Sequence, residues 1–402
     1  MISWLRIGRT VLLCVVGMTA LLVLVYPWLE PGGVGSAVPG LLWSRSSSPE
    51  SHHPPDLNHD SRLDDQPKVD LSLTLCDATS AVPGNSAFSL SRHLRQIRVL
   101  LKSAAALTST TLRFNIVTDT NKTYQHIVNM TLSWPPEYRS RIVLVHHQVY
   151  YPPKTENLLK MFRHCSTEKL FLPYLYKEKD ILISLDTDLI FMQPPEDLWT
   201  EFENFEDRHI VGMAPVHWLY GPGFKAFPTY GTSGLNAGVI LMNLTRLRNF
   251  TGGWIETILD VKEKYKGKLS LAEQDILNII FSRERSPQIY ELGCEWDFWQ
   301  RMCSDGYNKC PGAASRGVAI IHGCAQTFFF NQERKIQAVF EVWEKFQLGR
   351  PLSELLEMLQ TALSRLGSAP AGCGFLSNID NTLTQGIKRL IKLQQERKSC
   401  AT

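Results

Sequence analysis

The segment 179–191 constrains the fold of this chain more than any other stretch. It begins with a charged turn, continues as the apolar run 181–185, and ends in two carboxylates, Asp186 and Asp188. A short run rich in Ile and Leu, bounded by polar residues, is typical of a strand buried on both faces of a parallel sheet. Side chains two residues apart on a strand share a face, so we expect both carboxylates to lie together at its carboxyl end.

The carboxyl end of a strand is also where open α/β sheets bind their ligands. Two hard oxygen donors at that position suit a divalent cation that holds a phosphate-bearing substrate. The alternative is an acidic turn that ends the strand and binds nothing. The D-x-D pattern alone does not decide between the two.

Strands and helices alternate through the region beyond residue 70. The apolar patterns predict strands at 71–76, 112–117 and 142–145 and helices at 90–107 and 158–175, the second kinked at Pro173. This alternation predicts an α/β fold, with a mostly parallel central sheet flanked by helices. Neither a G-x-G-x-x-G nor a Walker pattern occurs, which argues against dinucleotide and P-loop sites.

Residues 10–29 carry no charge and predict one N-terminal transmembrane helix, because a spanning helix needs about 20 apolar residues. Arg6 and Arg9 precede it, so the positive-inside rule puts 1–9 in the cytosol and the remainder in the lumen. A cleaved signal peptide is the alternative, although the apolar run is longer than a typical signal core. Residues 30–70, rich in Pro and Ser, predict a disordered stem. We therefore expect a single-pass type II protein of the endoplasmic reticulum or Golgi membrane.

Cysteines and sequons agree with an oxidising lumen. The disulfide candidates are Cys165, Cys294, Cys303 and Cys310. The last three are close in sequence, so one disulfide among them is expected, with its connectivity open. A zinc site is the alternative, but the spacing fits no standard zinc pattern. Sequons for N-glycosylation begin at Asn121, Asn129, Asn243 and Asn249.

The net charge of +3 argues against a nucleic-acid partner, which would need a basic face. Polar residues of interest follow the D-x-D segment at three places in the chain. Asn236 lies where a Gly-containing loop enters an apolar strand, and could bind a sugar hydroxyl or belong to a plain turn. Residues 273–275 begin a helix, where acidic groups often only complement the helix dipole. His322 ends a late strand, and a lone histidine there is more often structural than a metal ligand.

Taken together, these segments resemble the family 8 retaining glycosyltransferases, whose fold is the GT-A nucleotide-sugar-binding fold. Residues 169–173, 186–199, 241–246 and 294–296, with Cys303 and Cys310, further resemble the glucoside xylosyltransferases. Those enzymes transfer xylose from UDP-α-D-xylose, in α1,3 linkage, to O-linked glucose on EGF-like repeats of Notch-type proteins. The likeness runs over residues 100–346. It implies a catalytic domain at 71–350. Beyond that domain, amphipathic patterns at 352–366 and 383–393 predict a C-terminal helical segment at 351–402, which either packs on the domain or contacts another protein.

The resemblance also implies roles for individual residues. Mn2+ is the implied cofactor, with Asp186, Asp188 and His322 as its ligands. The catalytic group is Gln274 near the anomeric carbon, with Glu273 and Asp275 beside it. The implied donor-binding residues are Lys169, Asp186, Thr187, Asp188, Asn236, Ala237, Gly238, Gly323 and Cys76, the last at the strand edge expected to cradle uracil.

The implied mechanism is front-face attack with retention, because Gln274 is a poor nucleophile for a double displacement. Three departures from the family stand out. The Gly and Arg that follow the first strand in the family are replaced here by the segment 76–85, which changes the expected uracil pocket. Glu273 replaces the usual Asp, and Cys324 stands where a basic residue often binds the diphosphate, leaving Arg334 or Lys335 as substitutes. These departures keep two alternatives open. One is a family 8 transferase with another UDP-sugar donor or a xyloside acceptor, and the other is a catalytically silent luminal protein that binds a UDP-sugar.

Overall fold

The computed structural model describes residues 69–77, 90–159, 161, 165–217, 219–220, 223–330, 333–368 and 372–401. The predicted cytosolic tail, transmembrane helix and nearly all of the predicted stem lie outside these residues. Within them, every helix is too short or too polar to cross a lipid bilayer.

Ten strands are found in the described ranges. In chain order they are β1 Val69–Leu75, β2 Leu112–Thr118, β3 Ile142–Gln148, β4 Ile181–Leu185, β5 Leu189–Phe191, β6 Val211–Pro215, β7 Leu235–Asn243, β8 Ile289–Glu291, β9 Phe298–Trp299 and β10 Ile320–His322.

The α-helices of the same ranges are α1 Leu90–Leu107, α2 Asn121–Thr131, α3 Pro136–Arg139, α4 Leu172–Leu175, α5 Pro195–Trp199, α6 Leu244–Arg248, α7 Trp254–Lys264, α8 Glu273–Ile280, α9 Pro311–Arg316, α10 Arg334–Lys345, α11 Leu352–Leu366 and α12 Ile379–Ala401. Several 3-10 turns connect them, among them Ser166–Phe171, Cys294–Asp297 and Cys324–Gln326.

The central sheet has the strand order β3-β2-β1-β4-β7-β6-β8. β1 runs parallel to both β2 and β4, β2 to β3, and β6 to β8, whereas β7 is antiparallel to its neighbours β4 and β6. A smaller sheet, β5-β10-β9, adjoins the end of β4. The predicted α/β architecture with a mostly parallel sheet is therefore confirmed.

The helix predicted at 90–107 is confirmed as α1, but the helix predicted at 158–175 is wrong. That stretch contains the 3-10 turn Ser166–Phe171 followed by the four-residue α4. Cys165 adopts a left-handed conformation with φ of 65°, which interrupts a right-handed helix. Pro173 lies in the first turn of α4, where its missing N–H leaves no intrahelical bond unmade.

Three disulfides link distant parts of the chain: Cys76–Cys165, Cys294–Cys310 and Cys303–Cys373. All four candidate cysteines are therefore paired, and Cys76 and Cys373 supply the partners that the sequence did not reveal. The zinc alternative is wrong, because the sulfurs of Cys294 and Cys310 are bonded to each other.

The C-terminal helices pack on the sheet domain. Leu355 and Leu363 of α11 and Leu383 and Ile387 of α12 are buried in the same hydrophobic cluster as β1 and α1. Of the two alternatives for residues 351–402, packing on the domain is the one observed.

Two buried lysines stabilise the packing of these helices through hydrogen bonds. Lys102 of α1 donates to the carbonyls of Trp343, Glu344 and Phe346 at the end of α10, over 2.9, 3.0 and 2.9 Å. Lys335 donates to the Leu363 carbonyl near the end of α11 and to Asp380 Oδ1. Carbonyls at a helix carboxyl end lack intrahelical donors, so each ammonium caps a helix.

Candidate active site

A cavity of about 430 Å³ opens at the carboxyl ends of β1 and β4 and the beginning of β7. Its wall brings together ten of the predicted site residues: Cys76, Lys169, Asp186, Thr187, Asp188, Asn236, Ala237, Glu273, Gln274 and His322. Parallel strands β1 and β4 end at this edge, and antiparallel β7 starts there, which is why residues far apart in the sequence meet.

The D-x-D carboxylates and the late histidine converge in this wall. His322 Nε2 lies 3.4 Å from Asp186 Oδ2 and 3.4 Å from Asp188 Oδ1. The ligand atoms of the three side chains all fall within 4.8 Å of one another. Antiparallel pairing of β10 with β5 places His322 opposite Leu189, and this register carries the imidazole to the carboxylates.

Asp297 orients the imidazole. Its Oδ1 lies 2.7 Å from His322 Nδ1, and the carboxyl group is fully buried. A proton on Nδ1 that is donated to Asp297 leaves the Nε2 lone pair directed at Asp186 and Asp188. Two carboxylates and a neutral imidazole nitrogen form a donor set that a divalent cation accepts, so the residues present fit such an ion. Sequence reasoning missed Asp297, because no motif links it to His322.

Gly238 packs against the ring of His322 and does not line the cavity. A Cβ at position 238 would lie 2.1 Å from His322 Cε1, so only glycine leaves room for the ring. Gly323 is also outside the wall, and its N–H donates to the Asp188 carbonyl over 2.8 Å. Both residues shape the site without lining it.

Lys169 is the one lysine or arginine among the described residues of the wall. Its ammonium donates to Asp186 Oδ1 and, over 2.8 Å, to the Ala237 carbonyl. Burial would lower the pKa of Lys169, but the negative charges of Asp186 and Glu273 outweigh it and raise that pKa. Burial likewise opposes charge on Asp186, yet Lys169 and His322 hold the pKa of that carboxyl well below its usual range.

Neither basic substitute proposed for the diphosphate reaches the cavity. Lys335 caps α11, and Arg334 is exposed at the start of α10. Cys324, at the position of the expected basic residue, is an unpaired thiol in the wall, and its Sγ lies 3.8 Å from Asn236 Nδ2.

Gln274 is held on the β7 side of the cavity. Its Oε1 accepts from the Ala237 N–H over 3.1 Å, and its Nε2 lies 3.4 Å from the Tyr220 hydroxyl oxygen. Asn278, one helical turn later, bonds both backbone groups of Leu235 and the Gln274 carbonyl, which locks α8 to β7. Sequence reasoning assigned no role to Asn278 or Tyr220.

The two acidic neighbours of Gln274 differ. Asp275 lies behind the wall, where its buried carboxylate accepts from the N–H groups of Ser270 and Leu271 and from the Tyr220 hydroxyl. This arrangement makes it a structural support for the loop, outside the reach of a ligand in the cavity. Glu273 does line the cavity, and burial, opposed by Lys169, raises its pKa to about 7.

The predicted sequons lie at different depths. Asn121, Asn129 and Asn249 are exposed. Asn243 is half-buried and accepts from the Arg246 N–H as the cap of α6, which makes it the least accessible of the four.

Comparisons with known proteins identify the family of the chain. The sequence model of glycosyl transferase family 8 matches residues 82–327, more than half of the chain. The chain is 32% identical over 310 residues to glucoside xylosyltransferase 1 of Danio rerio, covering 72% of this chain and 75% of that one. It is 30% identical over 323 residues to glucoside xylosyltransferase 2 of Mus musculus, covering 74% and 70%.

Among solved structures, an active-site mutant of LgtC superposes with a TM-score of 0.51 at 16% identity, covering 70% of this chain and 98% of that chain. At that identity the likeness concerns the fold, and it agrees with the predicted GT-A-like architecture. The family match and the extent of the curated relatives show that the chain belongs to glycosyl transferase family 8.

Proposed function

We propose that this protein is a retaining glucoside xylosyltransferase, which transfers xylose from UDP-α-D-xylose in α1,3 linkage to glucose O-linked to EGF-like repeats of Notch-type proteins. The observation that carries the proposal is the convergence of Asp186, Asp188 and His322 in one cavity wall with Lys169 and Gln274. The names of the two relatives, both glucoside xylosyltransferases, support this choice of sugar and acceptor.

Asp186, Asp188 and His322 would hold Mn2+, with Asp297 fixing the imidazole. When bound, the ion supplies Lewis-acid stabilisation of the negative charge on the departing diphosphate. Oxygen and nitrogen donors of this kind accept several divalent ions, so the choice of manganese rests on the resemblance.

The chain's own groups orient the donor sugar. Lys169 supplies a positive charge next to Asp186, and Gln274 faces the cavity with its amide oxygen held by the Ala237 N–H. An amide held in this way acts by hydrogen bonding and not as a nucleophile. We therefore place the acceptor hydroxyl on the same face of the sugar as the departing phosphate, which takes up its proton.

The protein is further proposed to be a type II protein of the endoplasmic reticulum or Golgi membrane, anchored by residues 10–29. Three disulfides and the three exposed sequons at Asn121, Asn129 and Asn249 support a luminal catalytic domain, since disulfides persist in oxidising compartments.

The proposal is tested by incubating the purified full-length protein with Mn2+, a glucosylated EGF repeat and an equimolar mixture of UDP-xylose, UDP-glucose and UDP-galactose. We expect the acceptor to gain the mass of one pentose. Gain of a hexose, or transfer only to a xyloside acceptor, would show a different family 8 transferase. UDP binding that is indifferent to Mn2+, without any transfer, would show a silent UDP-sugar-binding protein.

A further inference from the structure

Three aromatic side chains, Tyr307, Phe330 and Phe375, are the most exposed large hydrophobic groups among the described residues. Their exposed fractions are 59%, 58% and 60%, and we call them the aromatic patch. Leaving a ring of this size in water is unfavourable compared with burying it. None of the three lines the catalytic cavity, so binding of the donor does not explain their exposure.

The Cys303–Cys373 disulfide brings two of these rings together. Tyr307 belongs to the loop that starts at Cys303, and Phe375 follows Cys373 by two residues. A Cβ at Gly306, the neighbour of Tyr307, would lie 3.0 Å from Phe375 Cδ1, so the two chain segments are in contact.

Phe330 lies beside the same disulfide. It comes three residues before Glu333, whose Oε2 accepts from the Cys373 N–H over 2.7 Å. Three residues span at most about 11 Å, which keeps Phe330 close to this hydrogen bond. The three rings therefore belong to one region of the surface, and large apolar groups gathered in this way mark sites of protein interaction. Aromatic side chains also dominate the binding energy of many such sites.

Two disulfides constrain the loop 303–310, which carries Tyr307. Cys303 at its start is bonded to Cys373, and Cys310 at its end is bonded to Cys294. A side chain presented by a preorganised loop loses less conformational entropy on binding than one on a flexible segment. The loop is thus built to hold its exposed ring in place.

The aromatic patch lies at the same end of the molecule as the metal ligands. β9 runs parallel to β10, and Trp299 at the end of β9 pairs with His322. Cys303 follows Trp299 by four residues, so its Cα atom lies within about 15 Å of the end of β9. A folded domain of roughly 40 residues has a radius of gyration of about 9 Å, so it can contact the patch while one of its residues lies at the cavity.

We propose that the aromatic patch docks the folded polypeptide of the acceptor, by packing against an apolar side chain on the same face of the acceptor domain as its glycosylated residue. The inference rests on the proposed function, because it assumes a protein acceptor whose sugar enters the cavity. It implies that the enzyme recognises protein and sugar at separate places. A small glucoside reaches only the second of these.

The test compares two acceptors for the purified full-length protein with Mn2+ and UDP-xylose: a glucosylated EGF repeat, and p-nitrophenyl glucoside, which lacks a polypeptide. Tyr307→Ala and Phe375→Ala should each raise the KM for the repeat about tenfold. The kcat with the repeat, the KM for UDP-xylose and the rate with the glucoside should not change, because the cavity is untouched.

Two further variants serve as controls. Phe375→Tyr keeps the ring and should stay close to wild type. Leu132→Ala removes a side chain that is 52% exposed and lies outside the patch, and it should leave the KM for the repeat unchanged. A similar rise in KM for Leu132→Ala would mean that any loss of exposed apolar surface weakens binding, which would overturn the inference.

Each other contrary result has a distinct meaning. An unchanged KM for the repeat in both patch variants overturns this inference and leaves the proposed function standing. Equal losses with the repeat and the glucoside show that the patch supports the cavity, which also overturns it. A wild-type dimer that dissociates in both patch variants, measured by sedimentation, assigns the patch to a second copy of this chain. Failure of wild type to transfer xylose to either acceptor overturns the proposed function itself.

Discussion

Charged side chains form two clusters in the described part of this molecule, and the two clusters are satisfied in different ways. Beneath the C-terminal helices, Lys102 donates to three carbonyls, and Lys335 donates to a carbonyl and to Asp380. Along the cavity, Asp186 and Asp188 are half-buried carboxylates, and the buried Glu168 has one carboxylate oxygen without a partner among the described residues. In the first region the protein itself supplies every partner. In the second the protein leaves places for a ligand.

The difference shows how a structural charge can be told from a functional one. A buried charge whose hydrogen-bonding capacity is filled by backbone groups stabilises the fold and needs nothing further. At the cavity, by contrast, the ligand atoms of Asp186, Asp188 and His322 lie within 4.8 Å of one another, and the only lysine of the described wall, Lys169, donates to Asp186. A divalent cation would complete this group, because two carboxylates and an imidazole nitrogen are ligands that such an ion accepts.

The largest effect is expected from Asp188→Asn, which removes one carboxylate from the cavity. Transfer should fall about a thousandfold, because the leaving group loses electrostatic stabilisation. The measurement is initial rate of transfer, together with Mn2+ binding by electron paramagnetic resonance. Asp180→Asn, the same change at the exposed opposite end of β4, is the control and should keep full activity. Equal activity of Asp188→Asn and Asp180→Asn would mean that the cavity carboxylate has no special function.

A smaller effect, on stability alone, is expected from Lys102→Met. The change leaves three carbonyls at the end of α10 without a donor, so the free energy of unfolding should drop by about 3 kcal/mol. Chemical denaturation measures it, and the transfer rate per folded molecule should not change. Lys345→Met, in the exposed last turn of α10, is the matched control. A loss of transfer without a loss of stability would mean that Lys102 acts on the site.

Asp297→Asn tests whether a fully buried acid contributes to metal binding without contacting the metal itself. The amide cannot hold the imidazole in the same tautomer as firmly, so Mn2+ affinity should fall about 10- to 100-fold while the fold persists. Isothermal titration with Mn2+ gives the value, and exposed Asp305→Asn serves as the control. An unchanged affinity would place Asp297 among the structural charges.

The smallest effect is expected at the surface. Arg350 and Glu354 form an exposed pair one helical turn apart, with side-chain exposures of 61% and 37%. Because solvent screens such pairs, Arg350→Ala should change the free energy of unfolding by less than about 0.5 kcal/mol. Thermal denaturation measures the change. A loss comparable to that of Lys102→Met would show that burial is not what separates the strong charges from the weak ones.

The sequence predicted the parts of the structure that are local in the chain. Strand β4, helix α1 and the helical start at Glu273 follow from apolar periodicity, and the meeting of Asp186, Asp188 and His322 follows from the family resemblance. The resemblance also identified most of the cavity wall, since strand ends converge at one edge of the sheet.

The parts that could not be predicted depend on contacts between distant segments. Nothing near Asp297 indicates that it bonds His322, and nothing near Thr74 indicates its hydrogen bond to Glu168, 94 residues away. The false helix at 158–175 had acceptable periodicity, but the left-handed Cys165 and its disulfide partner overrode it. The resemblance placed Asp275 beside the catalytic Gln274, and only its three hydrogen-bond donors show that it holds a loop.

The most direct measurement is anomalous X-ray scattering at the manganese edge from crystals of the protein bound to Mn2+ and UDP. We expect a single strong peak bounded by Asp186, Asp188 and His322, with the nucleotide phosphates against it. Bound UDP with no peak there, or with the imidazole turned away from both carboxylates, would contradict the account.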